Sequence, residues 1–449
     1  MNGRFPPGFG FGVASSAYQI EGATTEGGRA ESIWDRYCRL PGAVANGETG
    51  DIACDHYHRY VEDLDLMARI GIRLYRFSIA WPRLVPDGTG KPNAAGVDFY
   101  RRLCDGLRER GIAPMATLYH WDLPQAIQDE GGWANRDTAF RFAEYANAAF
   151  DALGDLVDSW ITQNEPWVSA FEGHGFGTKA PGQQDWPTAL AAAHHLLLSH
   201  GLAVRAFREG ARGEAEIGIA LNLTPAYPLN GTVEDRAAAH LMDGFHNRWF
   251  LDPVLRGGYP SDMVDELTRR FGPLSAVRPG DLSTITEPID FLGVNYYFST
   301  RVFADPHEPL LGVGVAPATA DTTAMGWEVT PDSLYELVLR LRREYGDIPL
   351  VITENGAAFD DKAPVNGHVE DPKRLEYLRS HLASLQRAVA DGVDVRGYCA
   401  WSLLDNFEWQ HGYSKRFGIV YVDYETLRRI PKASALWYRD LIASNDGAR

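Results

Sequence analysis

The fold class this sequence predicts is α/β: a single (β/α)8 TIM barrel with extended βα loops. Three observations carry it. Eight short apolar or β-branched runs recur along the 449 residues. Amphipathic helical runs lie between most of them, and alternating strand and helix imply a parallel sheet. Nearly every strand-like run ends on a hydrogen-bonding or stacking residue, as expected where strand ends ring an active site. A doubly wound open sheet is the alternative, but the glycine-rich phosphate fingerprint it often carries is missing. Barrels with long loops reach this length as one domain, so 1–449 is read as a single catalytic domain.

The predicted strands are 9–14, 74–79, 114–118, 159–162, 217–221, 291–295, 350–353 and 397–401. Each is a brief run bounded by turn formers, the pattern of a strand buried on both faces. The predicted helices are 60–70, 94–110, 138–153, 188–209, 334–345 and 372–391. Asp371-Pro372 opens the last of these, and Gly111 and Gly392 follow the ends of two of them. The strand ends carry Gln19, Arg76, His120, Asn164 with Glu165, Asn222, Asn295 with Tyr297, Glu354 and Trp401. Amides and carboxylates suit hydroxyl groups, and an indole suits a sugar face.

The net charge of −17 argues against nucleic acid and anionic membranes as partners. No apolar stretch is long enough to span a bilayer, and the N-terminus lacks the apolar core of a signal peptide. Cys38, Cys54, Cys104 and Cys399 show no paired pattern, which predicts reduced thiols and a cytoplasmic location. Cys54, His56 and His58 lie close together but lack a complete four-ligand spacing, so neither a metal nor another cofactor is expected. His194, His195 and His200 are read as structural.

Two carboxylates draw the chemistry together. Glu165 lies in Thr162-Gln163-Asn164-Glu165-Pro166, and Glu354 in Val351-Ile352-Thr353-Glu354-Asn355-Gly356. Each follows a strand-like run and precedes a turn former. Such a pair on one barrel rim can cleave a glycosidic bond, one group protonating the leaving oxygen and the other attacking or activating water. The alternative is two barrel-end acids held in salt bridges.

Further blocks make the chain similar to the family 1 glycoside hydrolases, the β-glucosidase family, over essentially its full length. They are the stretch from Phe9 to Ala23, the block from Tyr75 to Arg83, His120-Trp121-Asp122-Leu123-Pro124, Asn164-Glu165-Pro166, Asn295-Tyr296-Tyr297, Thr353-Glu354-Asn355-Gly356, and the run from Trp401 to Trp409. The resemblance implies that Glu354 is the nucleophile and Glu165 the general acid/base. Arg76 and Tyr297 would bond the nucleophile, and Asn295 joins this catalytic group. Gln19, His120, Trp121, Trp401, Glu408 and Trp409 would hold the non-reducing sugar, Asn164 its 2-hydroxyl, and Trp327 would stack on the leaving group. In a retaining enzyme the carboxyls should lie about 5 Å apart.

The implied activity is a retaining exo-β-glucosidase acting on small β-glucosides or cello-oligosaccharides, with galactosides and fucosides as further substrates. Transglycosylation and a non-catalytic sugar-binding relative are the alternatives. The family's phospho-glycosidases replace the Glu408 position with serine and follow it with a lysine and a tyrosine. Here Glu408 is present and Phe417 replaces the tyrosine, which predicts an unphosphorylated sugar and leaves Lys415 as a surface charge. Two departures stand out. Gln163 takes a usually apolar position and should point behind the barrel wall, and Lys179 stands where histidine is common.

Overall fold

The computed structural model describes residues 4–210, 213–319 and 321–446. Eight strands close into an all-parallel barrel. They are β1 (Gly10–Ala14), β2 (Leu74–Ser78), β3 (Ala113–Tyr119), β4 (Ser159–Asn164), β5 (Glu216–Asn222), β6 (Phe291–Asn295), β7 (Leu350–Asn355) and β8 (Val395–Trp401). Each strand pairs with its sequence neighbours, and β1 closes the ring by pairing with both β2 and β8. All eight predicted strands are present, with ends shifted by at most two residues.

The longer helices are α1 (His56–Ile70), α2 (Ala94–Glu109), α3 (Asp137–Leu153), α4 (Trp186–Glu209), α5 (Pro331–Tyr345), α6 (Pro372–Ala390) and α7 (Ala433–Asp446). Three of the predicted helices begin two to four residues early, ahead of the apolar pattern, and Pro331 and Pro187 stand in the first turn of two of them. Asp185 accepts from the Thr188 amide to cap α4. The connection from β5 to β6 holds four α-helices, including Val233–Asp243 and Trp249–Arg256, and a π-helical turn between those two.

The loops carry structure that the sequence does not announce. Ala226–Pro228, Thr300–Ala304 and Val313–Val315 form a small sheet of their own. Val168–Phe176, directly after the Glu165 strand, is a π-helical segment. Apolar side chains fill the barrel interior and the layer between strands and helices, as with Ile161, Ala220, Phe291 and Cys399, all fully buried.

A buried ion cluster fastens the loops at the C-terminal rim. Lys432 bonds Asp361 at 2.5 Å and Asp405 at 2.7 Å. Arg374, near the start of α6, bonds Asp371 at 2.7 Å and Asp361 at 2.9 Å. Arg416 bonds Asp405 at 2.7 Å. This cluster ties the loop after β7 to the loop after β8, and so holds the segments that follow Glu354 and Trp401. Gly356 sits where a Cβ would meet the Trp401 carbonyl oxygen at 1.7 Å, so the turn after Glu354 admits only glycine.

Candidate active site

The two glutamates leave the barrel at irregular points. The register between β4 and β5 slips between Ile161 and Asn164, and that between β7 and β6 slips between Ile352 and Glu354. Such slips re-aim a side chain at the end of a strand. Glu165 also sits at φ 47°, a left-handed conformation unusual outside glycine, and its amide donates to the Ala220 carbonyl at 2.9 Å. Trp121 (φ 76°) and Trp409 (φ 50°) share that conformation, so three residues of this rim hold a strained backbone.

Asn295 joins the two acids. Its amide nitrogen donates to Glu165 Oε1 at 2.7 Å and to Asn164 Oδ1 at 3.0 Å, while its oxygen accepts from Thr353 Oγ1 at 2.7 Å. The same side chain also favours the charge on Glu354. Arg76 bonds Glu354 and also donates to Asn164 Oδ1, the oxygen that Asn295 bonds as well, so one hydrogen-bond network connects the two acids.

The acids differ in their surroundings. Arg76 and Tyr297 both bond Glu354 directly, and Arg76 is fully buried with further bonds to Thr117, the Thr353 carbonyl and Asn164. Burial pushes the Glu354 carboxyl up, and the Arg76 charge, Tyr297 and Asn295 pull against it. Glu165 has no cation in contact among the described residues. Burial first, and the nearby Glu354 charge second, push its carboxyl up to about 8. Glu354 therefore ionises first, and Glu165 keeps its proton at neutral pH.

Asn164 and His120 form a second fixed pair. Asn164 Oδ1 accepts from Arg76 at 2.6 Å, so its amide nitrogen must face His120 Nε2, at 3.1 Å. Burial, with Arg76 and Lys179 nearby, holds the imidazole well below its usual range. The ring is therefore neutral and accepts at Nε2. Its proton sits on Nδ1, a buried atom with no partner among the described residues.

The cavity between these groups has a volume of about 410 Å³ and is walled by both glutamates, His120, Trp401, Glu408 and Trp409, among others. Trp121, Asn295, Tyr297 and Trp327 also face it. Gln19 is fully buried beside it and donates to Glu408 Oε2 at 3.4 Å and to the Phe407 carbonyl at 2.9 Å. Arg76 and Asn164 lie behind the glutamates. The structure thus brings all thirteen predicted residues to one pocket or to its immediate backing. Trp121 has a second task, because its indole nitrogen donates to the Asn164 carbonyl at 3.0 Å.

Glu408 is less simple than the sequence suggests. Burial, helped by the Glu354 charge, pushes its carboxyl up to about 7, against the pull of Lys179 and Gln19. That shift favours the neutral form, so its charge alone is a weaker bar to a sugar phosphate than an ordinary carboxylate. Lys415 is not the surface charge it was expected to be. Its Nζ donates to the Ala324 carbonyl at 2.7 Å and braces the loop that carries Trp327.

Gln163 does point away from the pocket, donating to Ser199 on α4 at 2.8 Å. His194 bonds Tyr259 and Asp281, His195 the Trp133 carbonyl, and His200 Thr162, so all three have structural partners. His56 pairs with Asp63, and Cys54 Sγ donates to the Asp405 carbonyl at 3.1 Å.

Sequence reasoning did not find Trp167, His246, Phe298, Met325 or His411 on the pocket wall. Trp167 and Phe298 stand within two residues of Glu165 and Tyr297, and that adjacency was the available signal. Lys179 was noticed only as a departure. It reaches the rim, with Nζ 3.4 Å from Glu172, 3.2 Å from Gln410 and 4.9 Å from the centre of the Trp121 ring.

A barrel with such a rim is a glycosidase scaffold, and comparisons with known proteins agree. The family model described as Glycosyl hydrolase family 1 matches residues 1–447. The chain belongs to this family. It is 50% identical over 446 residues to beta-glucosidase A of Acetivibrio thermocellus, covering 98% of both chains. It is 47% identical to a bifunctional beta-D-glucosidase/beta-D-fucosidase of Bifidobacterium breve, again covering 98% of both. Among solved structures, the beta-glucosidase of Thermotoga maritima in complex with glucoimidazole superposes with a TM-score of 0.95 at 47% identity, covering 98% of this chain and 99% of that one.

Proposed function

We propose that the protein is a retaining, exo-acting β-glucosidase, with 1–449 as one catalytic domain, Glu354 as nucleophile and Glu165 as general acid/base. The observation that carries this reading is the asymmetry of the acid pair. One glutamate is held by a guanidinium and a phenol, while the other is buried, without a cation in contact among the described residues, and pushed up to about 8.

In the first step Glu354 attacks the anomeric carbon as the bond to the leaving oxygen breaks. Glu165 gives that oxygen its proton. The glycosyl ester that forms has lost the Glu354 charge, so the field that raised Glu165 disappears and the group becomes available as a base. Water then attacks the anomeric carbon while Glu165 takes its proton, and the ester bond breaks to return the Glu354 carboxylate. Asn164 bonds the 2-hydroxyl, where contacts strengthen toward the transition state. His120 Nδ1, Gln19 and Glu408 address the remaining hydroxyls. Trp401 and Trp409 supply the apolar faces, and Trp327 flanks the leaving group.

Relatives named as β-glucosidases, one of them also as a β-fucosidase, support β-glucosides as substrates with β-fucosides alongside. All four cysteines are unpaired and buried, which supports a reducing, cytoplasmic setting. No described helix is long and apolar enough to cross a membrane.

An NMR time course of nitrophenyl β-D-glucoside hydrolysis tests the mechanism. β-Glucose should appear first, with α-glucose following by mutarotation. α-Glucose as the first product would remove the nucleophile role from Glu354.

A further inference from the structure

The pocket uses His120 and Trp121 but gives the next residue, Asp122, no task. Asp122 is buried, and neither of its carboxyl oxygens has a hydrogen-bond partner among the described residues. The cations around it are engaged elsewhere. Arg29 bonds Asp35 at 2.8 Å, and Arg83 bonds Glu21 at 2.8 Å. Burial pushes the Asp122 carboxyl up to about 8, with Glu21 and Asp35 adding to it and Arg29 and the residue's own amide pulling against it. At neutral pH the group therefore keeps its proton, and it offers one hydroxyl donor and one carbonyl acceptor.

The segments packed against this turn carry matching polar atoms. Trp34 Nε1, Trp81 Nε1 and Asp35 Oδ1 are likewise buried without a partner among the described residues. The segment of Trp34 and Asp35 lies alongside the turn, because the Ile33 amide donates to the Leu123 carbonyl and the Gln125 amide to the Glu31 carbonyl, both at 2.8 Å. Trp81 lies flat on Tyr145, with centroids 4.6 Å apart and planes 10° apart. Tyr145 in turn donates to the Leu118 carbonyl on β3 at 2.8 Å, and after burial it is the Asp122 charge that pushes its phenol up. Two indole donors and one carboxylate acceptor thus surround a group that is itself an acceptor and a donor. Buried polar groups are paired in native proteins, directly or through a trapped water, and this set is complementary.

The turn needs such an anchor. Trp121 sits at φ 76°, a conformation that persists only where the surroundings fix it. On the pocket side its indole donates to the Asn164 carbonyl at 3.0 Å, and His120 Nε2 lies 3.1 Å from the Asn164 amide nitrogen. We propose that Asp122 is a positioning residue for sugar recognition, its carboxyl joined to Trp34, Trp81 and Asp35 behind the pocket so that the strained turn presents His120 and Trp121 to the sugar hydroxyls. It touches no substrate and acts through its two neighbours. This rests on the β-glucosidase reading, which places the sugar against those two residues.

The test measures kcat/KM on nitrophenyl β-D-glucoside for Asp122→Ala and Asp122→Asn, each alone and combined with His120→Ala. Asp122→Ala should lower kcat/KM by about tenfold, the scale of a small misplacement of contact groups. Asn has the shape of the neutral acid and keeps an acceptor and a donor, so Asp122→Asn should stay within about threefold of the wild type. In the His120→Ala background the loss from Asp122→Ala should shrink to about threefold or less, because part of what it misplaces is already gone. An equal loss in both backgrounds, an Asn variant no better than Ala, or no loss in either variant would overturn the proposal. If Asp122→Ala does not fold, Asp122→Asn decides alone, with activity near wild type supporting the proposal and a loss of about tenfold overturning it. A wild-type protein that turns over no glucoside would overturn the β-glucosidase reading itself, and this inference with it.

Discussion

Two buried charge networks stand a few loops apart on the same barrel rim, and they are built to opposite rules. In the loop-fastening cluster, Asp361, Asp371 and Asp405 meet Arg374, Lys432 and Arg416, three acids against three cations. Burial would push Asp361 up, but Lys432 and Arg374 outweigh it and hold that carboxyl below its usual range. In the pocket, Glu165, Glu354 and Glu408 face one buried guanidinium, Arg76, with Lys179 at the rim. There burial wins, and all three carboxyls are pushed up. Balanced charge fastens the loops, while surplus acid keeps a proton available for transfer.

The strongest way to break this contrast is to remove the nucleophile. Glu354→Ala should reduce kcat by on the order of 10⁵-fold, measured with a nitrophenyl glucoside. Fold stability should change little, because loss of a disfavoured buried acid offsets the loss of a partner for Arg76, which keeps its bonds to Asn164, Thr117 and the Thr353 carbonyl. A large drop in the unfolding midpoint would place Glu354 among the structural charges instead. Glu165→Gln should reduce kcat/KM by about 10²–10⁴-fold on an alkyl glucoside. The loss should shrink with a nitrophenol leaving group, which needs little protonation, and an equal loss on both would argue against an acid role.

Asp405→Ala tests the other network. It leaves Arg416 and part of Lys432 uncompensated and should cost about 3–5 kcal/mol in urea unfolding. The sign of the pH dependence follows from Asp361. Its folded-state affinity for protons is depressed, so its stabilising contribution is complete above the ordinary carboxylate range and is lost as pH falls through the folded value. Catalysis has the opposite edge. Glu165 must carry its proton, so kcat/KM should fall as pH rises through about 8. The acid limb should follow protonation of Glu354, which burial moves above the ordinary glutamate range.

The smallest expected effect sharpens the boundary between the networks. Lys179 favours the charge on Glu165 and on Glu408. Lys179→Ala should move the alkaline limb of the pH–rate profile upward by a few tenths of a unit, with little change in stability. A downward shift would show that Lys179 acts on the pocket by some route other than its charge.

The barrel was legible because its strands are buried on both faces and end abruptly. Leu350–Asn355 shows why, with an apolar run, then Glu354, then a glycine that only fits without a side chain. The acid pair was legible for the same reason, since strand ends face the site. Other features depend on contacts between distant segments. Trp167, His246, Phe298 and Trp327 reach the pocket wall from three different connections between strands, and no local spacing links them. The small sheet is built from strands of three to five residues, too short for a period to show. The share of charge on Glu408 depends on burial and on Lys179, neither of which its neighbours in the chain reveal.

That small sheet has a consequence for how such a protein can diverge. Thr300–Ala304 and Val313–Val315 help wall an apolar cavity of about 600 Å³ that adjoins the catalytic pocket, yet they belong to a sheet separate from the barrel. Inherited changes in this annex can reshape that neighbouring cavity while the barrel-end carboxylates stay as they were. The surroundings of the site and its acids are thus separable traits, open to independent selection along one polypeptide.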